Sequence, residues 1–99
     1  MTEFDGPNEM PRSRRTVTVT NRLGLHARAA ARFVKIAGSF DAEVEVTRNG
    51  TAVSGKSILG LMMLAAGPGA ELELCALGPD AEEALEALAR LVEGGFDET

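Results

Sequence analysis

The side chains best suited to chemistry are His26 and Arg28, in the stretch Gly24-Leu25-His26-Ala27-Arg28. His26 is the only histidine in the chain. A neutral imidazole is accessible near pH 7 and can act as a nitrogen nucleophile. The guanidinium two residues on offers fork-shaped donors that suit phosphate oxygens. An alternating Thr/Val run precedes the stretch and a helical pattern follows it, so His26 stands at a strand-to-helix corner. Helix N-termini attract anions, because their first N–H groups lack partners and the dipole is positive there. Such a corner would favour a phosphoryl group placed on the ring. The plainer alternative is a histidine serving as a core residue or a surface cap. Among soft ligands only Cys75 could join it, so no zinc site is expected, and no Ser-His-Asp arrangement is apparent.

A second motif competes. Gly50-Thr51-Ala52-Val53-Ser54-Gly55-Lys56-Ser57 matches the phosphate-binding pattern G-x-x-x-x-G-K-S letter for letter. That motif needs a buried strand, a loop and then a helix. Here Asn49-Gly50 is a hairpin signal, and the supposed loop contains the short return strand. The chain also lacks the alternating β-α units of a nucleotide-binding sheet. The match is read as coincidence, and no cofactor or metal is expected.

Positioning His26 requires a small folded unit. Ninety-nine residues suit one domain, and a hydrophobic fraction of 44% excludes a disordered chain. With four Phe and no Trp or Tyr, stacking on single-stranded nucleic acid is not expected. A net charge of −5 argues against nucleic acid or anionic membrane as a partner. Cys75 cannot form an internal disulfide and has no sequence neighbour to activate it. Nothing resembles a signal peptide or membrane span, so a reducing cytoplasm is expected; a monomer is expected as well.

Residues 1–12 are polar, contain Pro7, Pro11 and Gly6, and read as a disordered tail; residues 13–96 read as the domain. Thr16 to Thr20 alternates as a strand with Val17 and Val19 inward. From Ala27 to Ala37, Ala30, Phe33, Val34 and Ala37 form one buried helical face. Arg28, Arg32 and Lys35 form a basic stripe on another, a surface for an acidic partner. Ala42 to Thr47 and Thr51 to Ser54 read as a hairpin. Ser57 reads as the N-cap of a helix from Ile58 to Ala66. That helix is apolar nearly all round, which predicts that some of Leu59, Met62 and Met63 are exposed. Glu71 to Leu77 is a fourth strand with Leu72, Leu74 and Ala76 inward. Asp80 with Glu83 suggests a capping box for a last helix ending at Gly94-Gly95. The order β-α-β-β-α-β-α, with one apolar face per strand, predicts an α+β two-layer, open-faced sandwich: a four-stranded antiparallel sheet with three helices on one face.

Gly24-Leu25-His26-Ala27-Arg28, Gly55-Lys56-Ser57-Ile58-Leu59-Gly60-Leu61-Met62 and this element order together resemble HPr, the histidine phosphocarrier family of the phosphoenolpyruvate-dependent phosphotransferase system. The similarity covers about Arg15 to Phe96. It implies a carrier without turnover of its own, phosphorylated on Nδ1 of His26 by enzyme I and donating to an EIIA-type domain. Arg28 would steady the phosphoryl group. Ser57 falls where many members carry a serine phosphorylated by HPr kinase/phosphorylase. The implied docking surface comprises Ala27, Ala31, Arg32, Lys35, Ile58, Leu59 and Met62. The family usually has proline where this chain has Ala29. Gly38 to Val44 and Gly95-Phe96-Asp97-Glu98 resemble the nitrogen-related branch, NPr, whereas Lys56-Ser57 resembles the kinase-regulated members, so sugar uptake and nitrogen or carbon regulation both stay open. The rival reading is a regulatory binding module that uses the same surface without histidine chemistry.

Overall fold

In the computed structural model, residues 12–98 are described. They run β1 (Arg12–Thr18), α1 (Ala27–Ala37), β2 (Glu43–Arg48), β3 (Thr51–Ser54), α2 (Ile58–Met63), β4 (Glu71–Leu77) and α3 (Ala81–Glu93), followed by a single 3-10 turn over Gly95–Asp97. The expected tail, residues 1–12, lies outside the described residues except for Arg12, which opens β1. The four strands form one antiparallel sheet in the order β1-β4-β2-β3. Each strand's apolar face meets the helices, with Val17, Val46, Leu72, Leu74 and Ala76 packed in one core with Phe33, Leu61, Leu88 and Val92. The predicted open-faced sandwich is the observed fold.

Three elements differ locally from the sequence expectation. β1 begins four residues earlier than the Thr/Val alternation suggests, because pairing with β4 extends to Arg12 opposite Leu77. Backbone pairing there needs no apolar side chains, so the Arg-Ser-Arg-Arg half carries no hydrophobic signal. Val19 lies beyond the ladder but is still fully buried. Its N–H donates to Ala70 O (2.9 Å), and its carbonyl accepts from Gly69 (2.8 Å).

Helix α2 ends at Met63 instead of reaching Ala66. The carbonyls beyond it have other partners. The Arg48 guanidinium donates to Leu64 O (2.9 Å) and Ala65 O (3.4 Å), and Leu25 N–H donates to Ala66 O (2.9 Å). Ala65 turns left-handed at φ 51°, which stops the helix. The long-range donors Arg48 and Leu25 that hold this left-handed exit leave no sign in an apolar stretch.

The capping box at Asp80 does not form. Asp80 is the N-cap of α3, but its side chain makes no cap bond. Its Oδ2 instead accepts the Asp41 backbone N–H at 2.8 Å, while Asp80 N–H donates to Asp41 O at 3.1 Å. The carboxylate thus ties the α1–β2 loop to the start of α3, using an acceptor that a local motif would have kept for the helix.

Candidate functional site

Glycine geometry builds the corner that carries His26. Gly24 adopts φ +64°, and a Cβ there would fall 2.1 Å from Ala66 O. Only glycine allows the chain to pass so close. The next residue, Leu25, is buried and bonded to that same carbonyl, so the β1–α1 loop is stitched to the α2–β4 loop. His26 follows in an extended conformation (φ −77°, ψ 176°) as the N-cap of α1. Its carbonyl accepts the first helical bond, from Ala30 N–H at 2.8 Å. The N–H groups of Ala27, Arg28 and Ala29 precede that bond, giving the corner its positive end.

The imidazole makes no capping bond. Its Nε2 lies 2.5 Å from Glu98 Oε2, with the two side chains 23% and 18% exposed. The other Glu98 oxygen accepts from Asn21 Nδ2 at 3.0 Å, and the same amide donates to Gly24 O at 2.9 Å. The Asn21 amide and then the His26 ring hold the Glu98 carboxyl below the ordinary glutamate range. Asn21 is buried, and its Oδ1 has no partner among the described residues.

The predicted basic stripe divides in two. Arg28 and Lys35 are exposed, whereas Arg32 is half-buried and donates to the Phe96 carbonyl. Arg22, Arg28 and Arg32 flank an open cleft with Asn21, Leu23 and Glu98. Ala27 and Ala31 are exposed on α1. On α2, Ile58, Leu59, Met62 and Met63 are all exposed, Leu59 and Met63 by 69% and 74%. Leu23 adds a further exposed apolar side chain. The expected surplus of apolar surface on α2 is therefore present, since within the helix only Leu61 is buried, with Leu64 just beyond its end.

Ser57 is the N-cap of α2, its hydroxyl accepting Gly60 N–H at 3.0 Å. The phosphate-loop pattern around it dissolves in three dimensions. Gly50 occupies the hairpin turn at φ +83°, residues 51–54 form β3, and Gly55 is buried where a Cβ would meet Val44 Cγ1 at 2.6 Å. These glycines serve a turn and a tight packing contact, and no phosphate cradle is formed. Among the described residues there is no cluster of three or more metal-ligating side chains, and no helix is long and apolar enough to cross a membrane.

Sequence reasoning did not single out Glu98 or Asn21. Glu98 reaches the ring from 72 residues away. Asn21 lies in the loop just before His26 but acts through its bonds to Glu98 and to the Gly24 carbonyl, which a sequence pattern does not show.

An imidazole presented at the positive start of a helix, beside an apolar patch on the neighbouring helix, is the kind of site at which a protein can hold a small anionic group within reach of another protein. The comparisons with known proteins name the kind. A family model described as "PTS HPr component phosphorylation site" matches residues 13–94. The chain is 49% identical over 84 residues to phosphocarrier protein HPr of Cupriavidus necator, covering 85% of this chain and 94% of that protein. It is 42% identical over 86 residues to phosphocarrier protein NPr of Escherichia coli, covering 86% and 96%. The crystal structure of HPr-C-His from Thermoanaerobacter tengcongensis is similar with a TM-score of 0.84 at 40% identity, covering 88% of this chain and 98% of that one. The chain belongs to the HPr family of phosphocarrier proteins of the phosphotransferase system. Members relay a phosphoryl group and are not enzymes.

Proposed function

We propose that this chain accepts a phosphoryl group from phospho-enzyme I on Nδ1 of His26 and passes it to an EIIA-type domain. The observation that carries this reading is the imidazole at the N-cap of α1, free of any capping bond, with the Ala27, Arg28 and Ala29 N–H groups ahead of the first helical bond. Developing negative charge on a phosphoryl group there is met by the helix dipole and by the exposed Arg28 guanidinium. Ala27, Ala31, Arg32 and Lys35 of α1 with Ile58, Leu59 and Met62 of α2 form the docking surface; the apolar side chains bind and the cations steer an acidic partner. The direct experiment is incubation with enzyme I and phosphoenolpyruvate. Acid-labile phosphate is expected on the wild type and not on His26→Ala; labelled His26→Ala protein would overturn the reading.

Ser57 is proposed as a regulatory phosphorylation site for an HPr kinase/phosphorylase. A phosphate there adds about −1.5 to −2 charges next to Ile58 and Leu59, on the surface that must meet an acidic partner. Ser57→Asp is expected to slow transfer from enzyme I, and an unchanged rate would refute the mechanism. The domain is taken as residues 13–96, acting as a cytoplasmic monomer; sedimentation of the purified chain tests the monomer, and cell fractionation tests the location. Relatives include both HPr and NPr proteins, so transfer to a sugar-type against a nitrogen-type EIIA domain decides the branch.

A further inference from the structure

We infer that Glu98 is a positioning residue for the phosphoacceptor: its carboxylate keeps the His26 proton on Nε2 and leaves the Nδ1 lone pair free to attack phosphorus. The inference rests on the reading of His26 as the acceptor. A carboxylate oxygen 2.5 Å from a ring nitrogen requires a proton between them, since two lone pairs at that distance repel. The Asn21 amide stabilises the ionised carboxylate through the other oxygen, so the shared proton belongs to the ring. In a neutral imidazole the second nitrogen then carries a lone pair. That nitrogen is Nδ1, and the side chain spends it on no cap bond.

The path of the chain to this contact argues for a role beyond finishing α3. Gly95, Phe96 and Asp97 are consecutive left-handed residues at φ 72°, 56° and 61°. For the two with side chains this conformation is strained, because Cβ crowds the following carbonyl oxygen. The turn is held by Phe96, which is fully buried, by Arg32 on its carbonyl, and by Glu98 N–H donating to Gly95 O at 3.0 Å. It delivers Glu98 onto His26 instead of into solvent. Asn21 completes the link, because one amide group grips both Glu98 and the Gly24 carbonyl two residues before His26. The other charged groups around the pair are Arg22, Arg28, Arg32 and Asp97, which share the cleft with Glu98.

The step balances without proton transfer. The Nδ1 lone pair forms the N–P bond while the bond from phosphorus to its donor breaks, its electron pair leaving with the donor. The ring becomes a phosphorylated imidazolium whose positive charge faces Glu98, and the Nε2 proton stays in place. In onward transfer the N–P pair returns to Nδ1 and the neutral ring is restored. Without the carboxylate, the tautomer protonated on Nδ1 competes and cannot attack.

The test uses the full chain, 15N-labelled, as wild type, Glu98→Gln and Glu98→Ala. Imidazole nitrogen shifts are expected to show a protonated Nε2 and a bare Nδ1 in the wild type. Glu98→Gln keeps an acceptor oxygen and is expected to hold the tautomer, whereas Glu98→Ala populates the other one. Acceptance is then timed with phosphoramidate, which needs no partner protein, and with enzyme I plus phosphoenolpyruvate. Glu98→Ala should slow both by about tenfold, the scale of one charge-assisted hydrogen bond, with Glu98→Gln between it and the wild type. Wild-type tautomer and acceptance within twofold of wild type in Glu98→Ala would overturn the inference. Wild-type protein that enzyme I cannot label would overturn the carrier reading instead, and the nitrogen shifts would still decide the role of Glu98.

Discussion

Replacing Gly24 by alanine tests whether the corner under His26 is built by backbone contact. Two effects add. A left-handed alanine costs about 1–2 kcal/mol, offset by about 0.4–1 kcal/mol because alanine stiffens the unfolded chain. The new Cβ would also sit 2.1 Å from Ala66 O and 2.9 Å from Gly67 Cα. Backbone must move to relieve that, at about 1–3 kcal/mol by analogy with overpacked cores. The movement breaks the Leu25–Ala66 bond, worth about 1 kcal/mol. Gly50 supplies the control: it too is left-handed, at φ +83°, but a Cβ there meets nothing within 4 Å. Gly24→Ala should therefore be less stable than Gly50→Ala by about 2–4 kcal/mol, or about 10–30 °C in melting temperature for a domain of this size. Urea and thermal unfolding followed by circular dichroism measure both. If the two variants unfold within about 0.5 kcal/mol of each other, well below the estimate from the clash, the close approach does not constrain the corner.

Other outcomes follow from the same contacts. Gly55→Ala should lose about 1–3 kcal/mol of stability, because the methyl presses on Val44 and Phe33, while calorimetry of the wild type with ATP and magnesium should show no binding heat. Arg48→Met removes the charged donor from the end of α2 and should cost about 1.5–3 kcal/mol in urea, with faster amide exchange confined to α2 and the loop after it. Burial raises the Cys75 thiol above its ordinary 9.0, with Arg14 opposing and Glu45 reinforcing. Its contribution to stability is thus fully present below pH 9.0 and lost as pH rises through the raised folded value; Cys75→Ala should flatten that alkaline decline in urea titrations. Glu98 has the opposite sign. Its lowered carboxyl contributes stability above the ordinary 4.5 that is lost as pH falls through the folded value, and Glu98→Gln should remove that part of the acid limb.

The elements were legible because period and face agree along the chain. Alternation marks β2 and β4, the Asn49-Gly50 turn marks the hairpin, and Ala30, Phe33 and Ala37 recur at helical spacing and are all buried. The apolar excess on α2 also foretold its exposed face. Where expectation and structure part, a distant group intervenes. Arg48 and Leu25 take the carbonyls past α2, and Asp41 takes the carboxylate that a capping box would have turned on the helix itself. Local propensity is worth tenths of a kilocalorie per residue, and a single tertiary hydrogen bond outweighs it.

The same division applies at the corner. That one imidazole stands at a strand-to-helix junction with an arginine two residues on can be read from the residues alone, because period and turn chemistry act over a few residues. What faces the ring is set by the folded chain. Glu98 is 72 residues from His26 along the chain, and it arrives there because buried Phe96 and the bonded Arg32 hold a left-handed turn. Contacts of that separation have no period, so they are written in packing and not in pattern.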